Sequence, residues 1–91
     1  MDEKKIRELQ DKHGLSEMQS MIDSGNCWLL EGHYGRMAMA QLEEGTCFLP
    51  EVAHRDYYGN EVPGRHMLEA GSKGTLERAI EFWTGRSEEE E

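Results

Sequence analysis

The residues with the most chemical capacity in this chain are two cysteines and four histidines. Cys27, His33, Cys47 and His54 follow one another as Cys-x5-His-x13-Cys-x6-His. Zinc takes four thiolate, imidazole or carboxylate ligands in a tetrahedron, and closing such a loop would brace a small domain. Zinc knuckles, however, set their ligands in pairs about two to four residues apart, and no pair here is that close. These four residues therefore form only an alternative zinc set. The leading reading assigns no metal and no cofactor, and makes Cys27 and Cys47 small core residues beside apolar runs. A disulfide between them is a further option. Without a secretory leader, free thiols are favoured.

Either cysteine could be drawn as a dyad with His13, His33, His54 or His66, but no oxyanion loop accompanies them. Gly71-Ser72-Lys73-Gly74-Thr75 stands before a helix and has some of the character of a phosphate loop. In a true phosphate loop Lys adjoins the hydroxyl residue; here Gly74 intervenes, and no apolar strand precedes. A loop with Thr75 as helix cap explains the segment. A chain this short also has little room for a deep pocket. The expectation is a non-enzyme, with a small enzyme of unknown reaction as second alternative.

The segment from His54 to His66 points to binding. It holds Tyr57 and Tyr58, Arg55 and Arg65, and the turn signals Gly59-Asn60 and Pro63-Gly64. Tyr and Arg dominate interface hot spots, and a rigid turn presents them at low entropic cost. Arg55, Tyr57, Tyr58, Asn60 and Arg65 are thus the candidate partner-binding residues. The competing reading packs one Tyr inward and pairs the arginines with local acids.

These residues must be held by a small scaffold. The chain has 91 residues, enough for one domain with a modest core. Its 19 acids outnumber its 10 bases, for a net charge of -9. Direct nucleic-acid binding needs a basic surface, so the field argues against it. An acidic surface suits solubility, a basic protein partner or imitation of a nucleic-acid backbone. The charged N-terminus is not followed by the apolar run of a signal peptide, and no stretch approaches a membrane span. A cytoplasmic protein is expected, with no membrane partner.

Hydrophobic spacing predicts a mainly α domain, with helices at about 2–13, 17–24, 28–44 and 76–84. An irregular or β-hairpin segment fills 46–74, with short extended pieces on either side of Gly59-Asn60, and His66–Glu69 extended. Ser16 and Gln19 have the spacing of a capping box. Gly14, Gly25, Gly45 and Gly85 are the expected helix stops. The core anchors are expected at Trp28, Leu29, Tyr34, Met37 and Leu42, and at Phe48, Leu76, Ile80 and Trp83. Residues 1–86 form the domain and 87–91 a disordered acidic tail. The first helix has only Ile6 and Leu9 on its stripe, so residues 1–14 are expected to dock loosely or to support a homodimer.

Two segments add a likeness. Trp28-Leu29-Leu30-Glu31-Gly32-His33-Tyr34-Gly35-Arg36, and Arg55-Asp56-Tyr57-Tyr58-Gly59-Asn60-Glu61-Val62-Pro63 with Gly71-Ser72-Lys73-Gly74, resemble small uncharacterised proteins encoded by tailed phages and prophages. The resemblance implies a bacterial host cytoplasm and action by stoichiometric binding to, or inhibition of, a host protein, in some cases a defence nuclease. The expected function is an acidic protein-binding accessory factor whose partner is a protein such as a nucleic-acid-handling enzyme. The first alternative is a zinc-stabilised structural or assembly module.

Overall fold

The computed structural model describes residues 1–90, of which 87–90 are described by backbone alone. Four helices carry the fold: α1 (Glu3–Lys12), α2 (Ser16–Ser24), α3 (Gly32–Glu44) and α4 (Leu76–Glu90). Between α3 and α4 lies one antiparallel hairpin, β1 (His54–Arg55) with β2 (Glu61–Val62), in the register His54 opposite Val62 and Arg55 opposite Glu61. The protein is mainly helical, with its hairpin inside the segment expected to carry one.

Local sequence accounts for the helix ends. Asp2 caps α1 by accepting from the Lys5 N–H at 2.9 Å. Gly25 and Gly45 end α2 and α3 with φ of 81° and 101°, a left-handed conformation that glycine adopts without strain. Gly25 is doubly constrained, because a Cβ there would stand 2.6 Å from His54 Nδ1. Thr75 Oγ1 accepts from the Arg78 N–H at 3.2 Å and so caps α4.

Several expectations are corrected. Ser16 is the first residue of α2, not its cap; Leu15 takes the cap position without a side-chain bond. Gln19 is drawn into the core instead of back to the helix start. The stretch at 28–44 is broken: Asn26–Trp28 form a 3-10 turn, and α3 begins only at Gly32. Tyr57 and Tyr58 lie in the hairpin turn, not in its strands, and Arg65–Met67 is a 3-10 turn, not extended. Gly85 does not stop α4, which continues to Glu90. The expected disordered tail at 87–91 lies outside the described residues, save the backbone of 87–90 within α4.

The core has two parts. Ile22, Cys27, Ala38, Leu42, Cys47 and Leu49 form one, around the 3-10 turn on which α2 and α3 both pack. Ile6, Leu9, Phe48, Ala79 and Trp83 form the other, between α1 and α4. Helix α1 packs against the rest of the domain: Ile6 is completely buried, and Gln10 completes its thin stripe at 1% exposure. Of the expected anchors, Leu42, Phe48 and Trp83 are buried. Trp28, Tyr34, Leu76 and Ile80 pack half-buried at the edges. Leu29 and Met37 are exposed. On α3 only the narrow stripe through Tyr34, Ala38 and Leu42 faces the core, and Met37 falls on its flank.

Thr46–Leu49 is a buried segment that belongs to no helix or sheet and contributes to both parts. Buried backbone groups need partners, and side chains supply several of them. Thr46 O accepts from Gln10 Nε2 at 2.9 Å and from Trp83 Nε1 at 3.2 Å. Gln19 serves Phe48 on both sides, accepting from its N–H and donating to its carbonyl. The Leu49 N–H reaches Gly74 O at 2.8 Å.

Candidate functional site

The hairpin tip is organised by one carboxylate. Asp56 Oδ1 accepts from the Tyr58 and Asn60 N–H groups, both at 2.9 Å. The Asp56 N–H bonds to Asn60 O at 2.9 Å, closing the turn. Arg55 Nη1 donates to Gly59 O at 2.8 Å, so this guanidinium is engaged with its own loop. A short polar side chain that satisfies successive backbone donors is a turn former, and here it fixes both tyrosines outward. Tyr57 is 75% exposed and Tyr58 85% exposed. Their rings meet edge to face, with centroids 5.4 Å apart.

The tip does not stand alone. The Tyr57 N–H donates to Trp28 O at 3.0 Å, tying the hairpin to the 3-10 turn before α3. That bond brings Leu29 and Leu30, each about half exposed, beside the tyrosines. Together they wall an open groove of about 480 Å³, with Trp28 and Gly35 among its lining residues. A second groove of about 430 Å³, lined by Leu49, Val62 and Leu68, shares the Trp28 indole. Trp28 Nε1 is buried without a hydrogen-bond partner.

Of the residues expected to bind a partner, Arg55, Tyr57, Tyr58 and Asn60 gather at the tip. Arg65 does not. It is 9% exposed, and its Nη2 bonds to Glu3 at 2.8 Å and Glu51 at 2.9 Å. Its guanidinium also lies over the Phe48 ring, 5.5 Å from the centroid. Pairing with acids holds it inside the domain, though these acids are distant in sequence and not the local ones that the competing reading of the segment supposed.

The alternative zinc residues occupy different settings. Cys27 and Cys47 are buried free thiols of the first core cluster. Burial pushes both up to about 11, which makes thiolate scarce near neutral pH. His33 is exposed on α3 beside Tyr34 and 3.5 Å from Glu31. His54 places Nε2 3.1 Å from Asp23 O. Among the described residues, no group of three or more His, Cys, Asp or Glu side chains could hold a metal ion. The glycine loop before α4 bonds to itself, with Ser72 donating to Glu69 O and Thr75 to Ser72 O, both at 2.6 Å. Among the described residues no helix is long and apolar enough to cross a membrane.

Residues 5–71 match the model of a domain of unknown function, DUF7417. The chain belongs to that family. No curated protein and no solved structure matches it. The DUF7417 match covers the hairpin, the 3-10 turn at Asn26–Trp28 and the whole of the groove between them.

Sequence reasoning found the tyrosines but missed Leu29 and Leu30 as surface residues. A run of only four apolar residues has no period from which to read a buried side. The signal that was present is the pair Glu31-Gly32 directly after it, which ends the run and opens α3.

Proposed function

We propose that this DUF7417 domain is a non-enzymatic, protein-binding accessory factor, and that its working face is the groove between the hairpin tip and the 3-10 turn. One observation carries the reading. Four large side chains, Leu29, Leu30, Tyr57 and Tyr58, stand about half to mostly exposed around a single groove. Scattered exposed apolar residues are ordinary, whereas a contiguous set around a concavity marks a contact site. Aromatic side chains held by a rigid turn lose little entropy on docking. The likeness of these same segments to small phage proteins directs the search to a bacterial host protein. The charge of -9 favours a basic one, such as a nucleic-acid-handling enzyme.

Affinity capture from a lysate of the source cell, with quantitative mass spectrometry, tests this. The wild type should retain one protein in stoichiometric amount. Tyr57→Ala/Tyr58→Ala and, separately, Leu30→Ser should lose it while keeping the wild-type circular dichroism spectrum. A partner retained equally by all three would move the site elsewhere. If no partner enriches on any bait, the accessory-factor reading fails.

A further inference from the structure

The groove has a one-sided charge. Its charged lining residues are Glu31 and Asp56, and no Lys, Arg or His lines it. Glu31 is 84% exposed at its side chain and makes an exposed contact with His33 at 3.5 Å. Asp56 spends its oxygens on backbone and amide N–H groups, and the neighbouring Arg55 donates to Gly59 O instead of to this carboxylate. Three aromatic rings, Trp28, Tyr57 and Tyr58, share the same concavity. An aromatic face attracts a cation through its quadrupole, and neighbouring carboxylates add to that attraction. The second groove lacks this polarity, because Lys73 and Glu69 both line it.

We propose that the groove between the hairpin tip and the 3-10 turn receives an arginine side chain of a partner protein, flanked by an apolar residue that rests on Leu29 and Leu30. This rests on the protein-binding reading above and names the chemistry of the partner. Arginine suits the site better than lysine. Its planar guanidinium stacks on a tyrosine face while its edge hydrogen-bonds a carboxylate, and it is more weakly hydrated than an ammonium. A volume of about 480 Å³ accommodates that side chain and one neighbour. Arg36 is the chain's own nearby cation, with Nη1 3.1 Å from where a Cβ on Gly32 would stand. It borders the groove from the α3 side, so Arg36→Ala should strengthen binding.

The test is an NMR titration of the ¹⁵N-labelled full chain with the blocked tripeptide leucyl-arginyl-leucine and with its isosteric, uncharged citrulline counterpart. The arginine peptide should shift the Gly35, Tyr57 and Tyr58 amides and the Trp28 indole N–H saturably. The citrulline peptide should bind at least about tenfold more weakly. Glu31→Gln should weaken the arginine peptide by about threefold or more, and Tyr58→Leu, which keeps an apolar side chain but removes the ring, by a similar factor. Equal binding of the two peptides overturns the proposal, as does the absence of saturable shifts at about 10 mM peptide. Failure here with capture still dependent on Tyr57 and Tyr58 removes only the arginine assignment. A peptide that binds as expected beside a capture that finds no partner removes the accessory-factor reading instead.

Discussion

Gln19 and Phe48 form a two-bond pair across 29 residues of sequence: Gln19 Oε1 accepts from the Phe48 N–H at 3.1 Å, and Gln19 Nε2 donates to the Phe48 carbonyl at 2.8 Å. A neighbouring strand would offer the same donor and acceptor to a hydrogen-bonded residue. Here one primary amide on α2 replaces the strand. Gln10 extends the arrangement from α1, donating to Gln19 Oε1 at 2.8 Å and to Thr46 O at 2.9 Å. Two buried glutamines thus pair the Thr46 carbonyl and both backbone groups of Phe48 where the chain crosses a helical core.

Replacement of Gln19 by Leu should therefore be costly although Leu is apolar and of similar size. It orphans the Phe48 N–H and carbonyl together, for a loss of about 2–4 kcal/mol. Gln10→Leu should cost less, about 1–2 kcal/mol, because Thr46 O keeps its bond from Trp83 Nε1. Urea unfolding of the two variants gives the order. Equal losses would show that the pairing to Phe48 carries no special weight.

Arg65 offers a second ordering. Its side chain is 8% exposed, whereas its partners Glu3 and Glu51 are 37% and 65% exposed. Removing the buried charge takes both ion pairs, the bond to Leu49 O and the stack on Phe48 at once. Arg65→Ala should lose about 3 kcal/mol, Glu3→Gln about 1 kcal/mol, and Glu51→Gln less than about 0.5 kcal/mol. Arg65→Lys should recover only part of the loss, since a point charge cannot span two carboxylates and a ring. Thermal unfolding of the four variants checks the series.

The thiols set an alkaline limit. Burial raises Cys27 and Cys47 from 9.0 to about 11, so the folded state holds their protons after the unfolded chain has released its own. Their contribution is complete below pH 9 and is lost as the pH rises towards 11. Stability should fall across that window in the wild type and fall less in a Cys27→Ala/Cys47→Ala variant, measured by urea midpoints at pH 8 and pH 10.5. Thiol alkylation at pH 7.5 should likewise be slow in the native protein and fast in urea.

The sequence announced what local chemistry decides. Gly25 and Gly45 stop their helices because left-handed backbone favours glycine, and Asp2 and Thr75 sit where caps are needed. Tyr57 and Tyr58 were legible as exposed candidates from the Gly59-Asn60 turn signal, whereas the part of Asp56 in shaping that turn was not. Burial decided by distant partners was not legible. Gln10 carries no local signal and Gln19 reads as the N3 residue of a capping box, yet both are core residues because the backbone at 46–48 needs them. Arg65 read as surface for the same reason in reverse: its acids lie 62 and 14 positions away. Gly85 read as a stop, but glycine only lowers helix propensity, and the helix in which it sits is anchored upstream by Ala79 and Trp83.

Helix α4 begins at Leu76, beyond the stretch at 5–71 by which the family is recognised, and yet Trp83 fills the second half of the core and bonds to Thr46 O. The boundary of kinship and the boundary of autonomous folding therefore differ in this protein. A fragment cut at residue 71 would keep the hairpin and its groove but would bare Ile6, Leu9 and Phe48 to water, and would behave as a sticky, partly ordered piece instead of a minimal domain.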